Sequence, residues 1–178
     1  MTRPSHHGWA PILVVGMGSP DRGDDAVGPT VARLVTALDL PGVAVVEHED
    51  PTDLIELWSG RETVVVVDAV RSGALPGTLH ALETGANGAR LVEGSPWGGS
   101  GGTHGFGLPA AVELARALGR LPRQVVVVGI EAEQFDHGSP LSRAVAGAVD
   151  TAVDTVVEML SQRVDSVAPE SGTADVPR

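Results

Sequence analysis

Ile12-Leu-Val-Val-Gly16-Met-Gly18-Ser-Pro-Asp-Arg-Gly23-Asp24-Asp25-Ala-Val-Gly28 sets an apolar, β-branched run directly against a glycine-rich turn that ends in two adjacent carboxylates. The run reads as a strand covered on both faces. Val27, Val31, Leu34, Val35 and Leu38 then repeat at helical spacing, so the segment as a whole is a strand, a tight turn and an amphipathic helix. Turns of this kind usually cradle phosphate, because backbone N–H groups and the positive helix end attract anions. Gly18 to Asp25 even has the phosphate-loop frame of glycine, four residues, glycine, but Asp24-Asp25 stands where lysine and a hydroxyl residue are needed. The dinucleotide fingerprint fails as well, since Asp21 occupies the place of its third glycine. Carboxylates here suit a cation better than a phosphate.

The same alternation continues outward from this unit. Val43 to Val46, Val64 to Val67 and Val125 to Val128 are further apolar runs of strand length. Gly77 to Leu82 is a fifth strand, reached from Val67 too quickly for a crossover helix, which makes it antiparallel or an edge. Helices are predicted from Leu54 to Trp58 with Thr52 or Asp53 as cap, from Leu108 to near Gly119, and from about Leu141 to Leu160 with Ser139 as cap and Pro140 in the first turn. The pattern predicts a single-domain α/β fold with a doubly wound, mostly parallel five-stranded sheet and helices on both faces. A chain of 178 residues, 42% of them apolar, suffices for one core. Residues 11–162 form that domain, between an N-terminal tail of residues 1–10 and a C-terminal tail of residues 163–178 that is poor in large apolar side chains. Thr84 to Thr103 reads as a long functional loop.

Composition narrows the chemistry. A net charge of −11 and an isoelectric point near 4.8 argue against nucleic acid or an anionic membrane as partner. No lysine is present, which removes Schiff-base chemistry and any lysine base; no cysteine is present, which removes disulfides, thiolate nucleophiles and thiolate metal sites. Any metal must therefore bind through histidine nitrogen and carboxylate oxygen. No apolar run approaches the roughly 20 residues of a membrane span, and no signal core follows the N-terminus. A cytoplasmic protein is expected.

In doubly wound sheets, sites form beyond the carboxyl ends of the strands. Asp25 follows the first strand, Asp68 ends the Val64 to Val67 run, and His104 lies between the glycine-rich loop and the helix at Leu108. Alone, Asp25 reads equally as a helix N-terminal acid, Asp68 as a turn cap and His104 as a packed histidine. Together they make a divalent-metal site of oxygen and nitrogen donors. His80 in a strand and His137 in a loop compete weakly. Gly98-Gly-Ser100-Gly-Gly102 spells a hydrolase elbow but lacks the strand and helix around it. Receiver domains share the acid pattern but need a lysine that Gly129-Ile130-Glu131 does not supply.

Gly16-Met-Gly-Ser with Asp24-Asp25-Ala-Val-Gly28, Val67-Asp68-Ala69, Thr103-His104-Gly-Phe-Gly-Leu108 and Val128-Gly129-Ile130 with Pro140-Leu141-Ser142 together resemble the nickel-iron hydrogenase maturation endopeptidases, in order, from about Ile12 to Leu160. That resemblance implies a nickel-dependent endopeptidase that removes the C-terminal extension of the hydrogenase large-subunit precursor once metal is inserted. It implies Asp25, Asp68 and His104 as metal-contacting and catalytic residues. Nickel would be presented by the precursor, with another divalent metal able to take the same site on purification. It also implies no serine or cysteine nucleophile, and a monomer or weak homo-oligomer. Two departures from the family's usual pattern stand out: Ser19 where asparagine is common, and Glu49-Asp50-Pro51-Thr52 where relatives often show Asp-Gly-Gly-Thr. The second motivates an alternative, a non-proteolytic nickel-sensing chaperone for the large subunit.

Overall fold

The computed structural model describes residues 10–86 and 107–167, with side chains to Arg163. Five strands form one sheet: β1 (Ile12–Met17), β2 (Val43–His48), β3 (Thr63–Val70), β4 (Leu79–Thr84) and β5 (Gln124–Glu131), in the order β2-β1-β3-β5-β4. All neighbours are parallel except β4 and β5, which run antiparallel, so the fifth strand is both antiparallel and an edge. Ile12 sits level with Val43 on one side and Thr63 on the other, and Thr63 sits level with Gln124. Each strand runs past its apolar run: Asp68 closes the run of valines but lies inside β3, which continues to Val70.

Alternate residues of a strand face opposite sides, and both sides are covered, which is why the runs are apolar throughout. Leu13, Val15, Val64, Val66, Val125 and Val127 pack with Leu54 and Trp58, from α2 (Leu54–Leu57) and its end, and with Val112 of α3 (Leu108–Ala117). Val14, Val65, Val67, Val126 and Val128 pack on the other face with Val31 of α1 (Val27–Ala37) and Val149 of α4 (Arg143–Val167). The doubly wound, mostly parallel five-stranded fold with helices on both faces is the one expected. Among the described residues no helix is long and apolar enough to cross a membrane.

Three local expectations change. A 3-10 turn, Pro51–Asp53, precedes α2 and is capped by Asp50, whose carboxylate accepts from the Thr52 N–H and hydroxyl, each at 2.8 Å; Asp53 stands at the N-cap position of α2 but makes no side-chain capping bond. α4 begins at Arg143, and its capping hydroxyl is Ser142, which accepts from the Val145 N–H at 3.3 Å; Ser139 and Pro140 belong to the preceding loop. The domain boundary placed after residue 162 falls inside α4, which continues to Val167. Most of both predicted tails, and the loop from residue 87 to Thr103 with its Gly98 to Gly102 stretch, lie outside the described residues.

One constraint seats the turn. The first turn of α1 lies directly on the ends of β1 and β3, because a Cβ at Gly28 would be driven onto the Met17 carbonyl oxygen and to 2.6 Å from that of Val67. Gly16 opposite is equally bare of space, meeting the Gly28 carbonyl and, at 2.7 Å, the Ala32 side chain. A methyl group at residue 28 must push backbone from backbone. Gly28→Ala is expected to destabilise the fold by roughly 3 kcal/mol or more, read as a large loss of Tm in thermal unfolding. A wild-type Tm would contradict this packing.

Candidate active site

The chain leaves β1 for β2 on one side and later returns to β3 on the other, so β1 and β3 border the switch point at which open sheets place their ligands. Asp25 and Asp68 stand on either side of it. Asp25 lies in a 3-10 turn, Gly23–Ala26, ahead of α1. Its Oδ2 accepts from the Ser19 N–H at 3.0 Å. That bond uses main chain, so serine in place of the asparagine common among relatives costs the turn nothing at this contact. Gly18, with φ of 121°, adopts a conformation that side chains resist, and its N–H donates to the His48 carbonyl at 3.0 Å. The turn is thereby tied to the end of β2.

Asp68 is partly buried, level with Gly129 of β5. Burial pushes its carboxyl up from 3.8 to about 7; the charge of Asp25 pushes the same way, and the Ala69 N–H opposes both. Two acids thus share one crevice, and the charge of Asp25 disfavours the ionisation of Asp68. His104, the predicted third member, lies outside the described residues. Among those described, no group of three histidines or carboxylates is positioned to hold a metal ion.

Asp24 has a different task from its neighbour and from the helix-start role its position suggests. It is fully buried, and its carboxylate accepts from the N–H groups of Glu133 (2.8 Å), Gln134 (3.0 Å) and Ser142 (2.6 Å). These bonds clamp the loop after β5 to the acidic turn. The bond from Ser142 is buried, and those from Glu133 and Gln134 are partly so.

Sequence reasoning missed Glu131, which ends the apolar run of β5 as Asp68 ends that of β3. Its buried carboxylate accepts from the Ser72 N–H (2.8 Å), the Ser72 hydroxyl (2.7 Å) and the Gly73 N–H (2.8 Å), with His80 Nε2 at 3.4 Å. Burial alone would raise its pKa, but the Ser72 hydroxyl, the Gly73 and Ser72 amides and His80 together lower it. Glu131 is therefore a fixed anion that pins the β3–β4 connection, and His80 belongs to that structural cluster. His137 is exposed on the loop after β5. On the same loop the Phe135 ring is stacked between Arg22 (5.8 Å) and Arg71 (4.9 Å), which joins the loops following β1, β3 and β5. A pocket of about 340 Å³ opens beside the turn, lined by Gly18, Pro20, Pro29 and Glu47 to Asp50.

A model of the hydrogenase maturation proteases matches residues 31–159. The hydrogenase expression/formation protein HoxM of Cupriavidus necator is 30% identical over 112 residues, 60% of this chain and 51% of that protein. HoxM of Azotobacter vinelandii is 24% identical over 181 residues, 92% of this chain and 79% of its own. The chain thus spans about half the length of the first relative and about four fifths of the second. Among solved structures, the hydrogenase 2 maturation peptidase from Thaumarchaeota archaeon SCGC_AB-539-E09 is 29% identical with a TM-score of 0.62, covering 84% of this chain and 97% of that one. The hydrogenase maturating endopeptidase HybD from E. coli, at 22% identity and a TM-score of 0.70, covers 85% of this chain and 93% of its own, and bears on the fold alone.

The raised pKa of Asp68 has a consequence for stability. The folded state holds this proton up to about pH 7, whereas the unfolded chain releases it near 3.8. The proton therefore favours the folded state at low pH, and that contribution is lost as pH rises through this window. Asp68→Asn should raise stability by ~1–2 kcal/mol at about pH 8, allowing for partial solvent screening, with the gain vanishing towards about pH 4. Thermal unfolding at the two pH values checks this; a gain that is equal at both, or absent, would contradict it.

Proposed function

The chain belongs to the hydrogenase maturation protease family and is on that ground a peptidase; we propose that it removes the C-terminal extension of a nickel-iron hydrogenase large-subunit precursor after nickel has been inserted. The observation that carries the reading is the coupled acid pair at the switch point. Burial and the charge of Asp25 both raise the Asp68 pKa, with the Ala69 N–H set against them, so a positive charge brought into the crevice would favour the ionised pair. A divalent ion supplies it. Two carboxylates with a histidine fit a borderline cation such as nickel, and the residues for that set are Asp25, Asp68 and His104.

Nickel belongs to the substrate in this reading. Carried on the precursor, it docks the tail against the acids and polarises the scissile carbonyl or a bound water. A precursor without nickel brings no counter-charge, so it binds weakly and stays uncut. The Ser19 N–H occupies one oxygen of Asp25 and holds the carboxylate in place while its other oxygen serves the ion. A cytoplasmic monomer or weak homo-oligomer is part of the same reading.

Incubation with nickel-loaded precursor should shorten the precursor by the mass of its C-terminal peptide, and metal-free precursor should remain intact. Asp25→Asn, Asp68→Asn and His104→Ala should each slow processing by at least about 100-fold with the fold retained by circular dichroism. Near wild-type cleavage by two of the three would remove this site. Stable co-elution with no mass change would replace the protease with the chaperone.

Because Asp68 must lose its proton to meet the ion, processing should fall as pH drops below about 7. Rates measured across the neutral range test this; a rate that does not change between about pH 5 and 8 would contradict it.

A further inference from the structure

The outer edge of β2 is the next feature with a use. β2 pairs only with β1, and among the described residues no strand covers its other side. Which backbone groups face that side follows from a single bond. The His48 carbonyl accepts from Gly18, the residue that continues β1, so His48 faces β1. Backbone groups alternate along a strand. Ala44, Val46 and His48 therefore belong to the β1 ladder, while the N–H and C=O groups of Val45 and Glu47 face outward.

Native sheets usually protect such an edge with charges, proline or a bulge. This one reads Val43-Ala-Val-Val-Glu47-His48, without proline or bulge, and its Glu47 carboxylate is engaged by Arg33 through bonds of 3.0 and 2.6 Å. The edge also leads to the site. At its carboxyl end lies the pocket of about 340 Å³ whose walls are shared between Glu47, His48, Glu49 and Asp50 on one side and Gly18 and Pro20 of the acidic turn on the other.

We propose that the β2 edge binds the C-terminal segment of the precursor as an added strand, held by the outward backbone groups of Val45 and Glu47, with a side chain of that segment in the pocket beside Gly18. This rests on the peptidase reading and deepens it by naming how the substrate chain is held. The geometry is sufficient. Strands lie about 4.8 Å apart, which puts the added strand roughly 10 Å from β1, a gap that about three extended residues cross. A peptide that leaves the end of β2 thus reaches the turn carrying Asp25. Main-chain pairing supplies affinity that does not depend on sequence, and the pocket supplies selection.

Hydrogen exchange on the full chain, with and without a synthetic peptide of the precursor's C-terminal segment in an excess large enough to offset the weak binding of a nickel-free chain, tests the proposal. The amides of Val45 and Glu47 should exchange at least about tenfold more slowly with peptide bound, whereas those of Ala44, Val46 and His48, already within the sheet, should change little. Val45→Pro removes an outward N–H and no ladder bond. It should raise KM for the nickel-loaded precursor by about tenfold or more with kcat little changed. If wild type cuts the precursor but neither amide gains protection and Val45→Pro keeps the wild-type KM, strand addition is wrong and the peptidase reading stands. If wild type neither binds nor cuts the precursor, both fall. Protection of Val45 and Glu47 that grows with protein concentration in the absence of peptide would assign the edge to a second copy of the chain and overturn the proposal.

Discussion

The site depends on backbone meeting backbone where α1 crosses the ends of β1 and β3. Gly28 has the Met17 and Val67 carbonyl oxygens where a side chain would be, and Gly16 has Gly28 itself. No spacer fits between helix and sheet. The 3-10 turn that precedes α1 is therefore drawn down onto the sheet, and Asp25 arrives close enough to Asp68 for its charge to raise the Asp68 pKa. Gly18, in a backbone conformation open mainly to glycine, completes the turn and ties it to β2 through His48. Glycine in this segment makes room for a helix and two acids, not for a phosphate.

Four carboxylates near the carboxyl ends of the strands divide into two kinds, and hydrogen bonding separates them. Asp24 and Glu131 are buried but saturated with donors, from Glu133, Gln134 and Ser142 for the first and from Ser72 and Gly73 for the second. Both hold loops in place. Asp25 has one amide, and Asp68 has the Ala69 N–H set against burial and a like charge. The first pair spends its charge on the protein. In the proposed function the second pair is left to meet a ligand, which is the distinction a site requires.

Much of this was legible in the residues. Apolar runs without alternation announced strands covered on both faces, and the short link from Val67 to Gly77 announced the antiparallel edge. Asp25 and Asp68 were legible as acids at strand ends. What the chain could not reveal was which acid meets which donors. Asp24 and Asp25 are adjacent and identical in type, and only the direction of the 3-10 turn sends one into the loop after β5 and leaves the other at the crevice. Glu131 carries the same signal as Asp68, an acid closing an apolar run; its neutralising partners come from residues 72 and 73, joined to it by strand pairing rather than by sequence. Ser142 displaced Ser139 as the cap of α4 because Asp24, more than 100 residues away, holds the Ser142 amide.

The proposed cation site depends on the charge of Asp25 acting on Asp68 across the switch point. The most direct measurement is the titration of the Asp68 carboxyl by carbon-13 NMR, in the wild type and in Asp25→Asn. The account predicts a midpoint near 7 in the wild type, falling once the Asp25 charge is removed. A wild-type midpoint at the ordinary carboxylate value near 3.8, unmoved by Asp25→Asn, would contradict it.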